Sequence, residues 1–143
     1  MASVASATAA SAPVAPAATA GHAAAAKCPP TAQAARVIGG HHTEVLRTRY
    51  ADGEFWVVTQ CGRVGSVVKA TRRVGVEGGE TVMCETLFGK RDDPVHDLFA
   101  RALAHAVTEA TLKPLTLAFA LKCGADDMEA LREVVDFCKS LLQ

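Results

Sequence analysis

Five histidines, five cysteines and a scatter of paired aspartates are the residues of this chain that could do chemistry. A metal site would need three or four such ligands at short, regular spacing. The cysteines Cys28, Cys61, Cys84, Cys123 and Cys138 are odd in number, lie far apart and form no CxxC pair. That excludes a zinc ribbon or a thioredoxin-type motif and fits single thiols in a reducing compartment. His22 falls in an alanine-rich stretch, and His41-His42 falls in an expected turn. His96 and His105 stand nine residues apart on one helix, which turns them to opposite sides. Solvated turn histidines are the ordinary reading of His41 and His42, ahead of a metal cluster with Cys61. Asp92, Asp93, Asp126 and Asp127 precede helical patterns, so helix capping accounts for them better than acid–base pairing. No GxGxxG, phosphate-binding loop or GxSxG occurs. No metal, cofactor or catalytic residue is therefore assigned, and the expected activity is not enzymatic.

One segment has charge without an evident structural duty. From Phe55 to Val76 there is no acidic residue, while Arg63, Lys69, Arg72 and Arg73 are basic. The stretch Thr71–Gly79 joins two expected strands and reads as a long, glycine-containing loop. A mobile loop on a rigid sheet commonly carries function. Arg72, Arg73, Val74, Gly75, Val76, Glu77, Gly78 and Gly79 are accordingly the candidate partner-binding residues, with charge suited to an acidic protein surface.

The elements that hold this loop follow from periodicity. Residues 35–38 read as a short strand before Gly39-Gly40. Thr43–Tyr50 is a second strand, and Asp52-Gly53 a tight turn where glycine accepts positive φ. Glu54–Gln60, rich in aromatic and β-branched residues, carries the strongest strand signal. Cys61-Gly62-Arg63 reads as a turn into a returning strand at Val64–Ala70, and Thr81–Phe88 as a fifth strand. The period then changes. Asp92-Asp93-Pro94 starts a helix whose stripe is Val95, Leu98, Phe99, Ala102, Leu103, Ala106 and Val107. Pro114 ends it, and Leu115–Leu121 is a short apolar strand. Asp126 or Asp127 caps a final helix, with Glu129 placed for a capping box, and Met128, Leu131, Val134, Val135, Cys138 and Leu142 form its apolar face. The order β-β-β-β-β-α-β-α implies an α+β fold, an antiparallel meander of about six strands with both helices packed on one face.

The chain has 143 residues, enough for one domain. Residues 1–33 read as a disordered, alanine-rich, low-complexity tail and 34–143 as the folded domain. The first 26 residues contain 14 alanines and no Asp, Glu, Lys or Arg, and prolines interrupt every helical segment. The same composition admits an organelle transit peptide, although arginines are missing; a basic n-region and an apolar h-region for secretion are missing too. Basic and acidic residues balance at 15 each. That argues against nucleic-acid or membrane-surface affinity, which needs a cationic excess.

The run FWVVTQCGRVGSVV over residues 55–68 resembles the central hairpin of the proteasome assembly chaperone 3 family. Val57, Val58, Thr59, Gln60, Gly62, Arg63 and Gly65 match that family's V-V-T-Q-x-G-[KR]-x-G signature. Leu87, Gly89, Pro94, Phe99 and Ala100 stand where its L-L-G-x-x-x-P-x-x-H-x-F-A segment has them, with His96 shifted. Residues 128–135 (MEALREVV) resemble its closing helix, and Gly40–Val45 resembles its first turn. The resemblance covers about residues 35–141. It implies no catalysis and no cofactor. It implies pairing with proteasome assembly chaperone 4, binding of a subset of proteasome α-subunits, help in forming the α-ring, and release before the particle matures. A homodimer, and a cytoplasmic and also nuclear location, are compatible with it. In this picture the loop Thr71–Glu80, composed here differently from the family's, reaches the α-subunits through Arg72 and Arg73. Gln60, Gly62 and Gly65 are read as structural, with Gln60 bonding to the turn. The other readings are an organelle-targeted enzyme or binding protein, and a dimeric scaffold of a different complex.

Overall fold

The computed structural model describes residues 28–143. The expected tail and transit segment lie for the most part outside these residues. The described chain runs β1 (Thr31–Ile38), β2 (His41–Arg49), β3 (Glu54–Thr59), β4 (Ser66–Val74), β5 (Glu80–Phe88), α1 (Pro94–Thr111), β6 (Leu115–Ala120) and α2 (Met128–Ser140). The order of elements is the expected one. β1 begins at Thr31, earlier than Ala35 and ahead of the boundary at residue 34, and His41 and His42 belong to β2 instead of a turn.

The six strands lie in the order β1-β2-β3-β6-β4-β5. This corrects the meander. β3 and β4 are not a hairpin, because β6 lies between them, parallel to β3 and antiparallel to β4. The sheet is mixed. The reason is visible in composition: the LTLAFA run of β6 is apolar at five of six positions and takes in both faces, the pattern of a strand at the middle of a sheet.

Two turns show how local chemistry sets the register. Gly39 and Gly40 have φ of 58° and 77°, and they join Ile38 to its partner His41 as a two-residue hairpin turn. Tyr50 N–H donates to Gly53 carbonyl at 2.8 Å to close β2 onto β3. Gly53 is needed there for room and not for positive φ, since a Cβ would stand 3.2 Å from the Pro114 carbonyl.

Both helices cover one face. α1 lies over β4, β5 and β6, and α2 packs beside it and reaches β1. Asp93 caps α1, accepting from Val95 N–H at 3.0 Å, and Pro94 opens the helix. Its buried face is Val95, Phe99, Ala100, Leu103, Ala104, Val107 and Thr108, so Leu98 and Ala102 turn away from the sheet. α1 ends at Leu112, which holds φ of 58° and returns its N–H to the Thr108 carbonyl. Asp127 caps α2 through Ala130 N–H at 3.0 Å. Glu129 is then the second helical residue, one short of the position a capping box requires. Between helices and sheet, Trp56, Val58, Leu115, Leu117 and Phe119 meet Phe99, Leu103, Val134 and Cys138 in one core.

A polar network is buried in that core. Arg47 donates to both oxygens of Glu54 at 2.7 Å each and to the Leu141 carbonyl at 2.5 Å. Trp56 Nε1 donates to Glu54 at 2.8 Å, and the Arg47 guanidinium lies 5.5 Å from the Trp56 ring. Every charge is matched, as a buried pair requires. Burial alone would raise the Glu54 carboxyl, but bonds from Arg47 and Trp56 and the charges of Arg47 and Arg49 outweigh it and hold the group below its usual value.

Candidate functional site

The expected binding loop is mostly strand. β4 continues to Val74, where it pairs with Glu80, so only Gly75–Gly79 forms the tip. Gly75 N–H donates to Gly79 carbonyl at 2.7 Å, and Gly78, with φ of 79°, donates back to Gly75 at 3.0 Å. Successive strand residues point to opposite faces. Arg72 therefore faces the helices and is paired with Glu80, while Arg73 is exposed on the opposite face. The two arginines do not act as one patch. Val74 and Val76 are strongly exposed at the tip, Val76 entirely so. The tip presents Glu77 and two apolar side chains, with Arg73 as a cation that has no ion pair among the described residues.

The second surface was not anticipated. The sheet face away from the helices has no covering layer among the described residues. Across it runs a register row: Gln33 beside Leu46, Leu46 beside Val57, Val57 beside Ala118, Ala118 beside Val67, and Val67 beside Phe88. Ala118 is buried by its neighbours, yet it is no part of the helix-side core. Leu46, Val57 and Val67 are half-buried, and Phe88, beside the β-bulge at Val67/Val68, is 67% exposed. Phe55 lies on the same face one row on, and Val37 and Met83 extend it towards both edges. An apolar row of this length on an open sheet is the kind of surface that marks an interaction site. The signal was present in Phe55–Val58 and Leu115–Leu121, apolar at every position but Thr116 and hence on both faces.

Gln60 is buried and structural. Its Oε1 accepts from Lys122 N–H at 2.8 Å and Cys123 N–H at 3.3 Å, and its Nε2 donates to Thr43 at 3.0 Å. It ties β2 to the segment after β6. The Cys61–Arg63 turn belongs to Thr59 instead, whose hydroxyl donates to Arg63 carbonyl at 2.8 Å and accepts from Cys61 and Arg63 N–H.

Burial raises the thiols of Cys84 and Cys123 and pushes Cys138 up to about 12, so all three are neutral at physiological pH. His96 packs edge-on against Phe119, with ring centroids 5.2 Å apart. Among the described residues, no three metal-capable side chains come together.

Residues 56–141 match the family model described as Proteasome assembly chaperone 3. Proteasome assembly chaperone 3 of Homo sapiens is 30% identical over 110 residues, covering 75% of this chain and 90% of the relative. The Nematostella vectensis protein of the same name is 30% identical over 124 residues, covering 74% and 91%. Among solved structures, a chain of a chaperone complex for yeast 20S proteasome assembly superposes with a TM-score of 0.66 at 13% identity, covering 80% of this chain and 99% of that one. The identity to that chain is low, and the likeness is one of fold.

Proposed function

The chain belongs to the proteasome assembly chaperone 3 family, and on that premise we propose that it pairs with a proteasome assembly chaperone 4-like protein and promotes formation of the α-ring of the proteasome core particle. It works by binding, without a catalytic step. The pair holds a subset of α-subunits and leaves before the particle matures. The observation that carries this reading is the apolar row from Leu46 to Phe88 on the uncovered sheet face. A sheet with two apolar faces and helices on one of them is complete when a second layer closes the other. We assign that face to the partner chaperone, and a second copy of this chain is the competing occupant in its absence. The β4–β5 tip, with Arg73, Val74, Gly75, Val76, Glu77, Gly78 and Gly79, is the assigned contact for α-subunits. Arg72 supports it from behind through Glu80. The proposed location is the cytoplasm, and the nucleus with it.

The test is affinity capture of the C-terminally tagged protein from its own cell extract, with mass spectrometry of the partners and of its N-terminus. Free α-subunits and a second small chaperone, without mature β-subunits, are expected, together with an uncut N-terminal segment. Arg73→Glu is expected to reduce α-subunit capture several-fold and leave the small chaperone bound. A bait trimmed near residue 30 without proteasome subunits would move the protein to an organelle, and unrelated partners would make it the scaffold of another complex.

A further inference from the structure

The described chain has a cleft that neither surface above includes. It opens at the end of the sheet opposite the β4–β5 tip, where β5 and β6 both finish. Two connections line it: Gly89–Asp93 between β5 and α1, and Leu121–Asp127 between β6 and α2. The cavity measures about 780 Å³, within the size range of sites that hold a ligand.

Its chemistry is uneven. Lys90 and Arg91 come from one connection and Lys122 from the other, and all three are exposed. None is among the ion pairs of the described residues, whereas Arg36, Arg47, Arg72, Arg101 and Lys139 all are. Asp92 and Asp93 share the rim, but Asp93 is turned into the cap of α1. Val95 and Leu121 bring apolar side chains to the lining, together with Pro94, His96 and Cys123. Gln60 fixes the second connection by accepting from the N–H groups of Lys122 and Cys123, so Lys122 stands on anchored backbone.

We propose that this cleft binds an acidic peptide segment of a partner protein, one that alternates carboxylates with apolar side chains. Carboxylates would reach Lys90, Arg91 and Lys122 while an apolar residue covers Val95 and Leu121. Two aspartates on the rim disfavour a dense polyanion, which cannot avoid them, and suit a sparse one, which can. The chain's balance of 15 basic and 15 acidic residues points the same way. This contact is separate from the tip and from the apolar face, and it survives the failure of either assignment.

The experiment is fluorescence anisotropy of the full-length protein with a labelled peptide of alternating Glu, Leu and Ser at low salt. Saturable micromolar binding is expected, weakening as salt is added. The triple variant K90E/R91E/K122E should lose at least about tenfold in affinity, as charge reversal at a complementary contact does. Lys122→Ala alone should lose a smaller factor, and it serves if the triple variant does not fold. Lys139→Glu, in the last turn of α2 and outside the cleft, should bind as the parent protein does. The proposal is overturned by no saturable binding, by equal binding of a peptide with Gln in place of Glu, by no loss in either cleft variant, or by tighter binding of a labelled oligonucleotide.

Discussion

Glu54 is a buried carboxylate that accepts three hydrogen bonds. It receives Arg47 twice and Trp56 once, and through Arg47 it reaches the carbonyl of Leu141 after the last helix. Its folded-state pKa lies below the value it has when unfolded. The unfolded chain thus takes up the proton first, and stability falls as pH falls. The contribution is complete above the unfolded carboxylate range near 4.3 and is lost as pH drops through the folded value. Glu54→Gln leaves Arg47 buried without a counter-charge and is expected to cost on the order of 3 kcal/mol at neutral pH. Urea denaturation from pH 7 to pH 3 checks this: the gap between parent and variant should close on the acid side. A constant gap would mean that the charge of Glu54 does not matter. Gly89 offers a second residue-scale test. Its φ is 99°, and a Cβ there would stand 2.5 Å from Ser66 Oγ and 2.6 Å from the Gly65 carbonyl. Gly89→Ala is expected to cost roughly 2–3 kcal/mol. Gly124→Ala, with no atom within 4 Å and no positive φ, should stay within about 0.5 kcal/mol.

At the scale of elements, both helices and every strand were legible because their signals are local. Asp93 and Pro94, and Asp127 before Met128, announce helix starts by capping chemistry alone. Strand pairing is not local. Gly62 and its neighbours look like a hairpin turn, and they do reverse the chain, but β4 comes back one strand further out. The evidence against a hairpin lay some fifty residues away, in the β6 run, apolar at every position but Thr116. The binding loop was misread for a related reason. Arg72 and Arg73 look hydrophilic in sequence, whereas the strand separates them onto two faces and engages Arg72 with Glu80. α1 was read with too wide a stripe: Leu98 and Ala102 face a groove of about 370 Å³ against Met128 and Leu131 of α2, away from the sheet. The cleft at Lys90, Arg91 and Lys122 had no signature at all, since its rims are more than thirty residues apart and charge alone does not mark a site.

For the whole molecule, the division of the sheet into a helix-covered face and an open apolar face decides what it can do. Val57 is central to the open row and half-buried, and it is no part of the helix-side core. Val57→Asp is expected to cost about 1 kcal/mol of stability, the usual scale for a strand substitution. It is also expected to abolish co-purification with the small partner chaperone, because an unpaired carboxylate would be buried in the interface. Co-expression with sedimentation of the complex measures the second effect and a thermal melt the first. Retained pairing would move the partner's surface elsewhere. The end-to-end separation of tip and cleft leaves this face free between them, so the three contacts can be tested one at a time.

The placement of β6 also has a consequence for synthesis. A ribosome that has released the chain through Phe88 has made five of six strands but not one continuous sheet. β1, β2 and β3 form one ribbon and β4 and β5 another, and what joins them is a strand made after α1. Until residue 120 emerges, both ribbons expose edges that a neighbouring nascent chain can pair with. Closure waits for a contact spanning more than fifty residues, which is slow by its topology. A protein placed in a family that guards others during assembly thus passes through its own vulnerable interval, ended by a single six-residue strand.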